Sequence, residues 1–203
     1  MPRPAVKVYN GLEKHLRSLE ITRSRMVSLE DSNSIERRDL EQLCKGLFLD
    51  VVSSFEKYLE TLFIGLFISE LTAQSAKPVA VIKPKLFIYN ILFTEKKYLD
   101  WLPYDKTEKR AKKYFKDGKP FTNLTNGEKD QLEEIVKIRN ALAHKSKYAL
   151  SKFKEDIANG DYLTPREKTP EGFLTSIYRR NPDQTQFEIR AIFIQTIAYK
   201  LCQ

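Results

Sequence analysis

Apolar side chains recur every three or four residues over a long stretch in the first half of the chain, and this rhythm constrains the fold more than any other feature. It is the spacing of a helix that buries one broad face. A helix from Ile35 to Leu71 would be about 55 Å long, which is longer than one small domain needs. The sequence therefore predicts a long amphipathic helix whose excess apolar length requires a kink or a dimer partner. The apolar positions are Leu40, Leu43, Cys44, Leu47, Phe48, Val51, Val52, Phe55, Leu59, Leu62, Phe63, Leu66, Phe67 and Leu71.

Most of the remaining chain also favours helices. Seven Gly and nine Pro leave few breaks for a turn-rich β architecture, and 203 residues can bury one core. Thr125 and Glu128 have the spacing of a capping box, so a helix is predicted to begin there and run through Leu142. We predict an all-α helical bundle in a single domain, residues 1–203, with a small β-hairpin in the 160–182 region. Other helices are predicted at about 9–29, 79–102 (short and buried), 105–115, 148–157 and 184–202.

The charge balance favours a polyanionic partner. The chain has 35 Lys+Arg against 27 Asp+Glu, a net charge of +8. One basic cluster is consistent either with binding of an RNA backbone or with an ordinary solvated face; it comprises Lys106, Lys109, Arg110, Lys112 and Lys113.

No membrane segment is expected. The N-terminal residues Met1-Pro2-Arg3-Pro4 contain no apolar stretch of the signal-peptide type, and the most apolar run, 46–71, is interrupted by charged residues. We therefore expect a cytoplasmic protein.

Few kinds of reactive group are present. Two Cys and two His are scattered through the chain, which argues against a zinc site. There is no Gly-rich phosphate loop and no serine-nucleophile elbow, which argues against nucleotide hydrolysis and esterase chemistry. We therefore expect no metal and no cofactor. Cys44 and Cys202 are expected to be packed or idle thiols, and His15 is expected at the surface of a polar helix.

The combination of Arg139, Asn140 and His144 is the candidate for chemistry. On a helix, Asn140 and His144 lie four residues apart on one face, and Arg139 projects about 100° round from Asn140. RNA cleavage needs a group that titrates near neutrality and a cation that stabilises charge on phosphorus. His144 and Arg139 supply these two functions.

Each residue also has a purely structural interpretation. Arg139 lies in an otherwise apolar stripe, so it is a candidate for an interior ion pair with Glu56. His144 near a helix C-terminus interacts favourably with the last carbonyl groups without any catalytic task. A helical interaction protein with this ion pair and cap therefore remains an alternative.

The segment Ile138-Arg139-Asn140-Ala141-Leu142-Ala143-His144 resembles the motif of the HEPN superfamily, which is Arg, a polar residue, three variable residues and His. The motif lies on a late helix. It follows a long helix that contains Phe55-Glu56-Lys57-Tyr58-Leu59-Glu60, which looks like the aromatic and acidic helix of these proteins. The motif covers six residues, and the similarity of helical layout covers most of the chain.

The resemblance implies a function and a set of roles. It implies a homodimeric helical bundle in which two motifs face one cleft, with metal-independent endoribonuclease activity of the toxin, abortive-infection or phage-defence type. An antitoxin or regulatory protein is then an expected partner. His144 would be the general acid or base, Arg139 the phosphate-binding cation, and Asn140 would orient one of them.

The same resemblance implies the product of the reaction. The ribose 2'-hydroxyl would attack the adjacent phosphate and leave a 2',3'-cyclic phosphate, so DNA would be spared. Glu56 is a candidate active-site orienter, and Lys145, Lys147 and Tyr148 are candidates for binding RNA. The alternative is a non-catalytic HEPN-like domain that binds RNA, a nucleotide or a protein partner.

Overall fold

The protein is mostly helical. The computed structural model describes residues 2–79 and 99–203. Two short strands, β1 (Arg3–Pro4) and β2 (Leu71–Thr72), pair in parallel. The described residues form seven α-helices: α1 (Val6–Asp31), α2 (Arg37–Phe67), α3 (Tyr104–Tyr114), α4 (Asn126–His144), α5 (Lys147–Asp156), α6 (Pro170–Thr175) and α7 (Gln186–Leu201).

The all-α prediction is confirmed, and so is the long helix. Helix α2 has 31 residues and is about 46 Å long, somewhat shorter than the predicted span because it ends at Phe67. Ser69, just beyond, has a left-handed backbone with φ 58°, which stops the helix before the predicted end at Leu71. Nowhere in residues 2–79 and 99–203 is a helix long and apolar enough to cross a membrane.

The small β elements differ in detail from the predicted hairpin. Within the 160–182 region, residues Pro170–Thr175 form helix α6, and an isolated antiparallel bridge joins Ile177 to Thr185. The parallel pairing of β1 with β2 joins segments almost 70 residues apart, which no local pattern indicates. The helix predicted at 79–102 lies almost entirely outside the described residues.

Contacts divide the chain into two compact units. The first comprises Met1–Leu12, Phe55–Leu132 and Thr196–Gln203, and the second comprises Glu13–Ser54 and Glu133–Gln195. Four helices, α1, α2, α4 and α7, contribute residues to both units.

An aromatic cluster forms the core of the first unit. Phe63 of α2 is fully buried, and its ring centroid lies 5.0 Å from that of Phe115, 5.1 Å from Phe121 and 5.2 Å from Trp101. These distances are those of favourable tilted and edge-to-face ring pairs. The cluster joins α2 to the segments on both sides of α3.

Aromatic contacts also organise the second unit. Phe48 of α2 contacts Phe187 of α7, with centroids 6.0 Å apart. Phe153 of α5 meets Phe173 of α6 edge-to-face at 5.6 Å. All four rings are buried, so α2 with α7 and α5 with α6 form two packed layers of this unit.

Helix α7 lies between α1 and α4 in the second unit. Arg23 of α1, which is buried, pairs with Glu188 near the start of α7. On the other side, Arg190 of α7 lies 3.6 Å from Glu134 of α4. Helix α7 therefore contacts two neighbours through ion pairs, while its buried Phe187 contacts α2.

We expect Phe63→Ala to lower the free energy of unfolding by about 3–5 kcal/mol, because it leaves a cavity among three buried rings. Tyr148→Ala is the control: this side chain is 75% exposed, and its loss should change stability by less than about 0.5 kcal/mol. Urea denaturation followed by circular dichroism measures both. A loss below about 1 kcal/mol for Phe63→Ala would contradict the central place of this ring.

Candidate active site

Helix α4 is fixed at its N-terminal end by a capping box, as predicted. The Thr125 amide donates to Glu128 Oε2 at 2.6 Å, and the Glu128 amide donates to Thr125 Oγ1 at 3.3 Å. Together these bonds satisfy two amide groups that would otherwise have no partner at the start of the helix. The far end of the same helix carries Arg139, Asn140 and His144.

The three motif residues differ in exposure. Ile138, Ala141 and Leu142 are buried and anchor the last turns of α4. Arg139 and Asn140 are half-buried, whereas His144, the last residue of the helix, is exposed.

A hydrogen bond joins two of the motif residues directly. Arg139 Nη1 donates to Asn140 Oδ1 at 3.0 Å. This bond restricts the guanidinium to part of its range. The orienting role that the HEPN resemblance implies for Asn140 stays a prediction.

A tight corner follows the histidine. Lys145 has a left-handed backbone with φ 46°, which ends α4. Ser146 then caps α5, its Oγ accepting a hydrogen bond from the Ala149 amide at 3.2 Å. In this way two residues are enough to reverse the chain between α4 and α5.

An ion pair holds the two helices of this corner side by side. Lys137 Nζ lies 2.9 Å from Asp156 at the end of α5 and 2.9 Å from Glu133 on its own helix. The hydrogen bonds to Glu133 and Asp156 raise the pKa of Lys137, and the bond to Lys137 lowers the pKa of Asp156. Helices α4 and α5 therefore run antiparallel, with His144 at their junction.

The corner brings four predicted site residues together. His144, Lys145, Lys147 and Tyr148 are all exposed within five consecutive residues. Tyr148 extends furthest from the surface, with 75% of its area exposed. Glu56 is half-buried on α2 and belongs to the first unit, while the motif belongs to the second, so its role as an orienter stays a prediction.

The predicted basic cluster of residues 106–113 lies on α3, and three of its four lysines have acidic neighbours. Lys106 lies 2.8 Å from Asp100, and Lys109 lies 3.1 Å from Asp105. Lys112 lies 2.8 Å from Glu108. These pairs favour the solvated-face interpretation of this cluster.

The other reactive side chains do not form a second site. His15 Nε2 and Ser54 Oγ both bond to Asp50 Oδ1, at 3.2 and 3.1 Å. Because serine bonds to aspartate and not to histidine, this is not a nucleophilic triad. Burial raises the pKa of the Cys44 thiol to about 11, so it is unreactive at neutral pH. In the described parts of the chain, no group of His, Cys, Asp and Glu is arranged to hold a metal ion.

The sequence did not indicate that Lys45 and Glu171 lie beside the motif. Lys145 Nζ lies 3.7 Å from Glu171 Oε1, and Lys45 Nζ of α2 lies 3.7 Å from the same oxygen. Glu171 follows Thr169, which caps α6 by accepting from the Gly172 amide at 3.1 Å. The Thr-Pro-Glu sequence signals a helix start, but nothing in it indicates proximity to residues 45 and 145.

We expect Lys145→Gly to raise the free energy of unfolding by about 0.5–1 kcal/mol. Glycine relieves the cost of a left-handed backbone, and this gain exceeds the extra entropy that glycine gives the unfolded chain. The matched control is Lys147→Gly, in the helical first turn of α5, which should lower stability by about 0.5–1 kcal/mol. If urea denaturation shows that both glycine variants change the free energy of unfolding in the same direction, the backbone of Lys145 is not strained.

No family model, curated protein or solved structure matches this chain. The resemblance to HEPN proteins therefore depends on residues 138–144 and on the order of the helices. The geometry around His144 is the physical evidence that bears on function.

Proposed function

We propose that this protein is a metal-independent endoribonuclease of the HEPN type. The observation that carries the proposal is the arrangement at the end of α4: an exposed His144 lies one turn beyond Asn140, which accepts a 3.0 Å hydrogen bond from Arg139. A titratable group and an oriented cation at a surface corner are what phosphodiester cleavage requires.

The proposed reaction has one chemical step. The ribose 2'-oxygen forms a bond to the adjacent phosphorus, the bond from phosphorus to the 5'-oxygen breaks, and a 2',3'-cyclic phosphate and a 5'-hydroxyl result. One proton leaves the 2'-hydroxyl and one is delivered to the 5'-oxygen. His144 acts as the base or the acid, and Arg139 stabilises the charge on the phosphoryl oxygens through its planar array of donors.

The remaining exposed residues of the corner supply binding. Lys145 and Lys147 offer positive charge to the RNA backbone, and Tyr148 offers an exposed ring on which a base can stack. A ribonuclease of this kind arrests growth, so we propose a toxin or phage-defence effector that an antitoxin or regulatory protein restrains.

The test is cleavage of total RNA by purified protein with chelator present. We expect His144→Ala to reduce the rate by about 100-fold or more, the usual contribution of a general acid or base. The control is His15→Ala, which removes the other histidine, on α1 beside Asp50, and should cleave like the natural sequence. Sequencing of product ends should show 2',3'-cyclic phosphates, and DNA should remain intact.

The results separate the competing functions. Equal cleavage by His144→Ala and the natural sequence would refute the assigned role of His144. Binding of RNA without cleavage by either protein would favour the non-catalytic HEPN-like alternative. Arg139→Ala adds a check on a purely structural role, because loss of a buried ion pair costs about 3–5 kcal/mol of stability.

We further propose that the active form is a homodimer, because the two proton transfers are most simply served by two histidines. The surface proposed for a second copy lies on α7 in the second unit, where Ile192 is 47% exposed and Ile189 and Phe193 are half-buried. Ile21 of the neighbouring helix α1 is also 47% exposed. Exposed apolar residues grouped in this way are typical of protein–protein contacts.

Exposed charged residues of opposite sign lie on the two helices beside α7. Arg17 and Arg25 lie four residues on either side of Ile21 on α1, whereas Glu133 and Glu134 lie on α4, where Lys137 and Arg190 neighbour them. A twofold axis parallel to α7 sets the basic side of one copy against the acidic side of the other. This complementarity favours a second copy of the chain as the occupant.

We expect Ile192→Glu to convert the dimer, about twice 23.7 kDa, into a monomer by placing a charge in the apolar contact. Light scattering after gel filtration measures the mass. The control is Val79→Glu, at a position of the first unit that is 70% exposed, which should stay dimeric. A variant that remains dimeric would exclude this surface, and a monomer with undiminished cleavage would exclude an active site shared between copies.

A further inference from the structure

One carboxylate beside the candidate site faces two lysines from different helices. Glu171 lies in the first turn of α6, and 16% of its side chain is exposed. Lys45 Nζ and Lys145 Nζ are each 3.7 Å from Glu171 Oε1. Since both approach the same oxygen, the two nitrogens are at most twice that distance apart. Lys145 directly follows His144, so this pair of cations lies next to the candidate catalytic residue.

These two contacts are unusually long. A charge-assisted hydrogen bond between ammonium and carboxylate is about 2.7–2.9 Å, so Glu171 attracts both lysines without a hydrogen bond to either. Lysines paired with a carboxylate on their own helix lie at 2.8–3.1 Å; the pairs are Lys109–Asp105, Lys112–Glu108, Lys137–Glu133 and Lys152–Glu155.

The cluster of Lys45, Lys145 and Glu171 therefore carries a net positive charge, and the N–H groups of its lysines can donate hydrogen bonds to a ligand. One carboxylate offsets only one of the two ammonium charges. Lys145 has 62% of its side chain exposed, and Lys45 has 21%. An anion with several oxygens, such as a phosphodiester, suits two convergent ammonium groups better than a single carboxylate oxygen does.

We propose that Lys45 and Lys145 together bind a backbone phosphate of single-stranded RNA next to the phosphate that is cleaved. Glu171 holds the two lysines near each other in the free protein, and the RNA phosphate replaces it as their closest anion. This assignment rests on the proposed ribonuclease function. It adds a residue of α2, about a hundred positions before the motif, to the RNA-binding surface.

The test is binding of a single-stranded RNA of about 12 nucleotides whose 2'-oxygens are methylated, so that the proposed cleavage cannot occur. Affinity is measured by fluorescence anisotropy at several salt concentrations. We expect Lys45→Ala to weaken binding at least about threefold and to reduce the slope of log K against log salt by about 0.7, the value for one lost contact to single-stranded RNA. Lys45→Arg should keep the charge and most of the affinity.

The matched control is Lys152→Ala, which removes a lysine of α5 from its 2.9 Å pair with Glu155 and should leave the affinity unchanged. If the Lys45→Ala variant unfolds at a lower temperature than the natural sequence, Lys45→Gln, which preserves most of the side-chain volume, is used in its place. Glu171→Gln should bind more tightly, because its carboxylate no longer opposes the phosphate. Weaker or unchanged binding by Glu171→Gln contradicts the role of Glu171.

Failure of this proposal is distinguishable from failure of the ribonuclease proposal. If the natural sequence cleaves unmodified RNA in a His144-dependent way but Lys45→Ala and Lys152→Ala bind alike, only the phosphate site is wrong. If RNA is bound in a Lys45-dependent way but never cleaved, the phosphate site stands and the ribonuclease proposal fails.

Discussion

Burial of the apolar residues of α2 is the constraint on which the rest of the structure depends. Phe48, Phe55 and Phe63 are fully buried, and Phe67 is almost so. These rings do not lie on one narrow stripe, so the helix has to be covered from several directions. In the first unit the rings around α3 cover it, and in the second unit α7 does. The other helices pack where they shield the apolar residues of α2 from water.

That packing explains why the candidate site lies at a helix end. Buried Ile138 and Leu142 fix the last turns of α4, so the residues between and after them have little freedom in backbone position. A rigid helix end can present His144 to solvent while holding Arg139 part-way into the protein. Sites built on such elements are positioned more accurately than sites on long loops. The corner at Lys145 adds an uncommon backbone conformation at the same place.

The lysines differ in how closely a neighbouring carboxylate offsets their charge. The net charge of +8 suggests a broadly basic surface, yet Lys106, Lys109 and Lys112 of α3 lie against carboxylates at about hydrogen-bonding distance. Around Glu171, two lysines share one carboxylate at a longer distance. Positive charge is therefore less fully offset beside His144 than at these three lysines of α3, a difference that the total charge does not reveal.

The sequence by itself determined the elements with strong local signals. The apolar rhythm of α2 indicated a long helix, and the spacing of Thr125 and Glu128 indicated the start of α4, because both signals depend on residues within a few turns of each other. The motif from Arg139 to His144 was also readable, since its members lie on one helix.

Only the tertiary structure decided the contacts between distant segments. The pairing of β1 with β2, the approach of Lys45 and Lys145 to Glu171, and the ion pair of Lys137 with Asp156 join residues whose separation along the chain gives no periodic signal. Such contacts form when buried helices pack in a particular register, and that register depends on the summed fit of many side chains. For this reason the sequence identified the candidate catalytic residues and Lys145, whereas only the tertiary structure identified Lys45, which shares Glu171 with Lys145.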